Sequence, residues 1–179
     1  MAPSVGSAAK ETLNSDPDNV CSTIKRQMGK RDYMFNAFGK DYSPEAISSL
    51  ILQKLTKDAS EVLGEEVKDV VITCPAYFGL DERDATQKAG EIAGLNVLGI
   101  LNEPTAAAIS YGMKTTEKKT VLVYDLGGGT FDVTIINVNN GAIKVIATGG
   151  DHHLGGVDWD TELANFMLDN FNEQNGTSY

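Results

Sequence analysis

The hydrophobic and polar positions of the chain change period several times, and these changes predict alternating helices and strands. Over residues 44–63, apolar residues recur at near-helical spacing between Ser43 and Gly64, which are typical N-terminal and C-terminal caps. The next apolar run, residues 70–73, is short and rich in β-branched residues. Such a run is typical of a strand that is buried on both faces of a sheet.

Strand and helix then alternate once more. A helix is predicted from about Asp81 to Gly94, followed by a strand over residues 97–101. Glu103 and Pro104 begin an alanine-rich helix that should reach Tyr111. Strand, helix, strand, helix is the order of a βαβ unit.

The first 43 residues have a weaker pattern. A short helix is predicted around residues 8–13 and should end at Asp16 and Pro17. Loosely alternating aromatic residues over 33–38 favour a strand or a hairpin arm.

A polar, charged stretch over residues 115–119 precedes a different pattern. Strands are predicted over 120–126, 131–138 and 142–148, with a Gly-rich turn between the first two and a hairpin turn between the last two. An amphipathic helix over residues 158–171 should follow. Its predicted inward face consists of Leu163, Phe166, Met167 and Phe171. We therefore expect two lobes that divide near Thr115.

Composition and charge narrow the class of protein. The 179 residues are 41% apolar and 22% charged, as in ordinary globular proteins. A net charge of −10 repels polyanions and argues against nucleic-acid binding. It does not exclude a nucleotide, because backbone N–H groups, one lysine and a metal ion can bind small phosphates.

The chain shows neither a secretory leader nor an apolar run of membrane-spanning length, so a cytoplasmic protein without a membrane partner is expected. Cys21 and Cys74 are far apart in the sequence and match no CxxC spacing. They are therefore interpreted as buried free thiols. The adjacent His152 and His153 have no other ligand types at metal-binding spacing, so they are interpreted as structural.

The segment from Asp125 to Asp132, DLGGGTFD, carries the clearest chemistry. Glycines between two strands let the backbone turn sharply and let several N–H groups approach a phosphate. The two aspartates could hold a divalent cation or its water shell, and the Thr130 hydroxyl could orient a water molecule. The alternative is a plain Gly-rich hairpin with solvated aspartates.

The arrangement resembles the DnaK-type (70-kDa heat-shock) chaperone family, from about Val5 to the C-terminus. DLGGGTFD alone is similar to the wider actin, sugar-kinase and chaperone ATPase superfamily, and further segments favour the chaperones. These segments are CPAYF at 74–78, AGLNVL at 93–98, NEPTAAA at 102–108, YG at 111–112 and HLGG at 153–156.

The resemblance implies an α/β chain with an actin-like (ribonuclease-H-like) ATPase fold in two partial lobes, truncated at both ends. Residues 1–115 would belong to the first lobe, with a peripheral subdomain over 1–43 and a core βαβ subdomain over 44–115. Residues 116–179 would begin the second lobe and carry the phosphate-binding hairpin.

The resemblance also implies hydrolysis of ATP to ADP and phosphate, assisted by Mg²⁺. Lys10 would reach the γ-phosphate and the attacking water, and Glu103 would lie near the water shell of the magnesium. Asp125, Asp132 and Thr130 would organise the metal and the water. The phosphate contacts would come from Gly127, Gly128, Gly129 and Thr130.

Pro75 and Arg83 resemble the relay that links the nucleotide to the family's substrate domain. Alternatively, Pro75 only ends a strand and Arg83 only lies on a helix surface. The sequence departs from the family pattern at Cys74, Gly99 and Val157, where the family usually has an aliphatic, an arginine-like and an acidic residue. These departures bear on the coupling between the nucleotide and the substrate domain, and not on the fold.

The implied partners are a J-domain cochaperone, a nucleotide-exchange factor and, through a substrate domain that is absent here, unfolded polypeptides. No DxGTTxS-like first phosphate hairpin precedes Lys10. The chain alone is therefore expected to bind ATP weakly and to hydrolyse it slowly. A sugar or acetate kinase of the same superfamily and a non-catalytic cochaperone-docking module are the alternatives.

Overall fold

A computed structural model of the protein describes residues 3–110 and 118–179. The chain divides into two units, Met1–Ala106 and Ala107–Tyr179. The predicted lobe boundary near Thr115 and the predicted helix end at Tyr111 lie outside the described residues.

Short elements make up the start of the first unit, as the sequence pattern predicts. Helix α1 spans Ser7–Thr12, and two 3₁₀-helices follow at Pro17–Asn19 and Ile24–Gln27. Strands β1, Phe35–Ala37, and β2, Lys40–Tyr42, then form an antiparallel hairpin.

The long helix α2 spans Pro44–Leu63 and has the two caps that the sequence predicts. The Ser43 hydroxyl accepts a hydrogen bond from the Ala46 amide at 3.3 Å. At the other end, Gly64 has a φ of 73°, in the left-handed region that glycine adopts without strain. These caps fix where the helix begins and ends.

The predicted βαβ unit is confirmed. Strand β3, Asp69–Cys74, pairs in parallel with strand β4, Asn96–Asn102, and helix α3, Leu80–Ile92, connects them. Helix α4, Glu103–Ser110, begins directly after β4. Because the strands are parallel, both carboxyl ends lie at one edge, where Cys74 pairs with Asn102.

The expectation that β3 is buried on both faces is wrong for the described structure. Alternate residues point to opposite faces of a strand, and on one face Val71 and Leu98 are 58% and 64% exposed. The described sheet has only these two strands, and its core lies on the other face. That core consists of Met28, Cys74, Phe78, Ala85 and Ala89.

The second unit contains the three predicted strands, which form an antiparallel sheet in the order β5–β6–β7. They span Lys119–Leu126, Phe131–Asn139 and Ala142–Asp151, so β7 is longer than predicted. Ala108, Ile136 and Val138 form the buried cluster of this unit.

Helix α5 spans Gly156–Asn175, and its predicted inward face is wrong for the described structure. The side chains of Leu163, Phe166, Met167 and Phe171 are 59%, 64%, 63% and 50% exposed. Among the described residues, no helix or strand packs extensively along this face. An amphipathic pattern identifies an apolar stripe, but the position of its partner depends on tertiary structure.

The longest helices, α2 and α5, have 20 residues each. Polar residues interrupt both of them. Over residues 3–110 and 118–179, no helix combines the length and the apolar character that a membrane span requires.

Candidate functional site

The turn between β5 and β6 is closed by its own backbone. Leu126 and Phe131 are the last paired residues of the two strands, and the Gly127 amide donates to the Thr130 carbonyl at 2.9 Å. Neither Gly127 nor Gly128 has a φ in the left-handed region. The backbone conformation of the turn therefore does not require glycine at these two positions. What glycine contributes there is the absence of a Cβ atom.

The N-terminus of α5 is hydrogen-bonded to this turn. The Gly156 amide donates to the Gly127 carbonyl at 3.1 Å, and the Val157 amide donates to the Gly128 carbonyl at 2.9 Å. These bonds satisfy amide groups that lack partners within the helix. They also place the positive end of the helix dipole next to the turn, where it favours an anion.

Gly155 allows this close approach of helix and turn. A Cβ atom at this residue would lie 2.4 Å from the Gly129 nitrogen and 2.6 Å from the Gly128 oxygen. Real Cβ contacts are never this short, so only glycine fits. The Gly155 amide also donates to the Asp158 carboxylate at 2.8 Å, which caps α5.

The two aspartates of the motif lie directly opposite each other across β5 and β6, as Asp125 pairs with Asp132 in the strand register. Asp132 and Thr130 are only 4% and 8% exposed, whereas Asp125 is exposed. Like charges directly opposite in an antiparallel pair repel each other. A divalent cation between the two carboxylates would offset that repulsion.

The oxygen atoms at this turn fit Mg²⁺ better than a metal that needs several protein ligands. Over residues 3–110 and 118–179, no three His, Cys, Asp or Glu side chains form a cluster that could hold a metal ion. Mg²⁺ usually keeps several waters and binds one or two carboxylates together with substrate phosphates. A pair of aspartates beside this turn meets that requirement.

A second polar cluster lies at the carboxyl edge of β3 and β4 in the first unit. The Arg83 guanidinium donates to the Asn102 side-chain oxygen at 2.5 Å and to the Phe78 carbonyl at 2.9 Å. The Lys25 ammonium donates to the Glu103 carboxylate at 2.8 Å. In parallel sheets, this edge is where ligands commonly bind.

Pro75 and Arg83 meet in this cluster through one short turn. Pro75 is completely buried, and its carbonyl accepts from the Phe78 amide at 3.2 Å. Phe78 in turn accepts from Arg83. Arg83 therefore joins the turn after β3 to the end of β4 and is more than a helix-surface residue, although the relay role itself stays a prediction.

The two cysteines differ in burial. Cys74 is buried at 1% exposure, and Cys21 is half-buried, so only Cys74 matches the interpretation of a buried thiol. Desolvation raises the pKa of both thiols. At Cys74 the positive charges of Arg83 and Lys25 act to lower the pKa, while Glu103 acts to raise it.

The predicted site residues fall into two groups. Asp125, Thr130, Asp132 and the three glycines lie together at the β5–β6 turn of the second unit. Lys10 is exposed on α1, and Glu103 begins α4 with 21% of its side chain exposed, both within the first unit. The structure adds Lys25 and Asn102 to the first-unit cluster. Lys25 lies 78 residues before Glu103, and nothing in the sequence indicated that these two side chains would pair.

Comparison with known proteins gives consistent results. The family model described as Hsp70 protein matches residues 2–179. The chaperone protein DnaK of Thermotoga neapolitana is 52% identical over 173 residues, which cover 96% of this chain and 29% of that protein. The DnaK proteins of Thermosipho melanesiensis and Picrophilus torridus are 51% and 49% identical, covering 96% of this chain and 29% and 28% of their own lengths.

The chain therefore spans less than a third of the length of these curated relatives. The family match, in contrast, extends over nearly all of its 179 residues. The strands, the turn and the helix that present DLGGGTFD all lie inside the matched range. On this basis, the chain belongs to the Hsp70 family.

Proposed function

We propose that this chain is part of the ATP-binding and ATP-hydrolysing domain of a molecular chaperone. The observation that carries the proposal is the β5–β6 turn, where Gly128 leaves open space beside the backbone and two opposed carboxylates lie next to a helix N-terminus. Backbone amides, a helix dipole and hard oxygen ligands together suit a nucleotide phosphate with its Mg²⁺.

Each site residue has a distinct role in this proposal. Gly127, Gly128 and Gly129 let the phosphate approach the backbone, since a side chain there would occupy the space. Asp125 and Asp132 hold the metal or its water shell, and the Thr130 hydroxyl orients the attacking water. Bound Mg²⁺ would supply charge stabilisation for phosphoryl transfer.

Lys10 and Glu103 complete the proposed site from the first unit. Lys10 supplies a positive charge for the γ-phosphate, and Glu103 accepts a hydrogen bond from the water shell of the metal. The proposed architecture is the actin-like (ribonuclease-H-like) fold, with residues 1–115 in the first lobe and 116–179 in the second.

The proposed biological setting follows from the family. ATP hydrolysis would control the binding of unfolded polypeptides by a substrate domain, with Pro75 and Arg83 relaying the nucleotide state. A J-domain cochaperone and a nucleotide-exchange factor would be the partners, and the cytoplasm the location. The buried Pro75 turn and the two hydrogen bonds of Arg83 support the relay, because they link β3 and β4 at one edge.

Single-turnover hydrolysis with γ-labelled ATP tests the proposed activity. The chain should release labelled phosphate to water, and Asp125→Asn should slow that release by roughly a hundredfold because a metal-organising charge is lost. Asp169→Asn, which removes an exposed carboxylate on α5, is the matched control and should leave the rate unchanged.

The same assay separates the alternative functions. Transfer of the label to glucose or acetate, added in parallel reactions, would identify a kinase instead. Binding to a J-domain protein without any release of label would favour a non-catalytic docking module. Equal rates for Asp125→Asn and the parent chain would contradict the proposed role of the turn.

A further inference from the structure

The first amides of α5 are already hydrogen-bonded within the protein. The amides of residues 156–159 all donate to backbone carbonyls. Two of the acceptors, Gly127 and Gly128, lie in the β5–β6 turn, and the third is Gly155. A phosphate would have to displace one of these bonds to reach an amide of α5 directly. The helix can instead act on a phosphate through the turn.

The two bonds from α5 to the turn fix the direction of two consecutive peptide groups. The Gly127 carbonyl accepts at 3.1 Å and the Gly128 carbonyl at 2.9 Å, so both carbonyls point at the N-terminus of α5. In a trans peptide, the carbonyl of one residue and the N–H of the next point in opposite directions. The N–H of Gly128, and in the same way that of Gly129, therefore points away from the donating amides of α5. Its direction depends on where the N-terminus of α5 lies.

Asp158 holds the segment that leads into α5. Its carboxylate accepts a hydrogen bond from the Gly155 amide at 2.8 Å, and its own amide donates to the Gly155 carbonyl at 3.1 Å. Gly155 is buried against the turn and immediately precedes Gly156, whose amide is one of the two that reach the turn. Hydrogen bonds to an ionised acceptor are stronger than neutral ones. Loss of this carboxylate should therefore loosen the contact between α5 and the turn.

We infer that Asp158 is a positioning residue that sets the direction of the phosphate-binding N–H groups in the β5–β6 turn. It acts through Gly155 and the first two amides of α5, and it does not itself contact the nucleotide. This inference rests on the proposed function, which assigns the phosphates to this turn. All of the residues involved belong to the second unit.

The sign of the effect on ATP binding separates positioning from charge. A carboxylate near a phosphate repels it, so the removal of its charge alone should strengthen binding. Asp158→Ala is expected instead to weaken binding about tenfold, which is the size of effect that the loss of a helix cap has on an equilibrium. Asp158→Asn keeps an oxygen that can accept from the Gly155 amide, and it should recover most of the affinity.

Two controls isolate this effect. Ser43→Ala removes the cap of α2, where the Ser43 hydroxyl accepts from the Ala46 amide, and should lower the unfolding midpoint without changing ATP affinity. Asp160→Ala removes an exposed carboxylate from α5 two residues beyond Asp158, and should leave the affinity unchanged or slightly higher. Equilibrium binding of Mg-ATP to the 179-residue chain compares the variants, with thermal unfolding as the check on folding.

Equal affinity of Asp158→Ala and the parent chain would overturn the inference, as would equal losses for Asp158→Ala and Asp158→Asn. Asp158→Ser, which shortens the side chain but keeps it polar, replaces Asp158→Ala if that variant does not fold. If the parent chain does not bind Mg-ATP, the proposed function fails for this chain. The inference is then decided by amide hydrogen exchange without nucleotide.

In that exchange experiment, the Gly127 amide reports on the turn, because it donates to the Thr130 carbonyl at 2.9 Å. It should exchange several-fold faster in Asp158→Ala than in the parent chain, and Ser43→Ala should leave its exchange unchanged. Faster exchange confined to the Asp158 variant would support the positioning of the turn by Asp158. Unchanged exchange would overturn the inference.

Discussion

Replacing Gly150 with alanine is expected to lower the free energy of unfolding by about 3 kcal/mol or more. Gly150 has a φ of 154°, which residues with a side chain rarely adopt. A Cβ atom added at Gly150 would lie 2.0 Å from the Phe131 carbonyl oxygen. Relief of this clash requires β7 to move away from β6 where Gly150 pairs with Asp132. The substitution should therefore also disturb the candidate metal ligand.

The neighbouring glycine provides a matched control. A Cβ at Gly149 would meet no atom within 4 Å, and its φ is ordinary. Gly149→Ala should be neutral or slightly stabilising, because glycine is unfavourable within a strand. Urea unfolding of both variants measures the difference. A loss of less than about 1 kcal/mol for Gly150→Ala would contradict the strand pairing described for β6 and β7.

Replacing Gly128 with valine is expected to abolish ATP binding while leaving the stability of the protein unchanged. A Cβ at Gly128 would meet no atom within 4 Å, so the protein without nucleotide accommodates it. The same space is where a phosphate would approach the turn. A valine there should weaken ATP binding roughly a hundredfold, because forcing a phosphate against an added side chain costs up to about 3 kcal/mol.

Equilibrium binding of a fluorescent ATP analogue, with thermal unfolding as the check on folding, measures this prediction. Gly149→Val is the control, since it adds the same side chain to open space on β7 of the same unit. Equal affinity of the parent chain and Gly128→Val would show that phosphate does not bind at this turn. A lowered midpoint of Gly128→Val would show that the space beside the turn is not open.

The sequence predicts the local elements well, because their signals are local. Ser43 and Gly64 cap α2 as expected, and the short β-branched run of β3 is a strand. The glycines between β5 and β6 mark the turn, although their conformational role is different from that predicted. Gly127 uses its amide to close the turn. Gly155, which the sequence analysis named only as part of the HLGG segment, permits the approach of α5.

Features that depend on distant parts of the chain were not predictable in this way. The exposure of Val71 depends on how many strands flank β3, and that of Phe166 depends on what packs against α5. The pairing of Lys25 with Glu103 joins residues that are 78 positions apart. Neither periodicity nor a short motif records such a contact, so it emerges only from the tertiary structure.

The central claim is that the β5–β6 turn binds the phosphates of Mg-ATP. The most direct test compares the thermal unfolding midpoint of the chain with Mg-ATP to its midpoint with Mg²⁺ alone. A ligand that binds only the folded state raises the midpoint by mass action. At about 10 mM nucleotide, a ligand with a dissociation constant near 1 mM raises the free energy of unfolding by roughly 1.4 kcal/mol. This corresponds to a rise of about 3–6 °C for a chain of this size. A rise of that size is the predicted result, and an unchanged midpoint would contradict the claim.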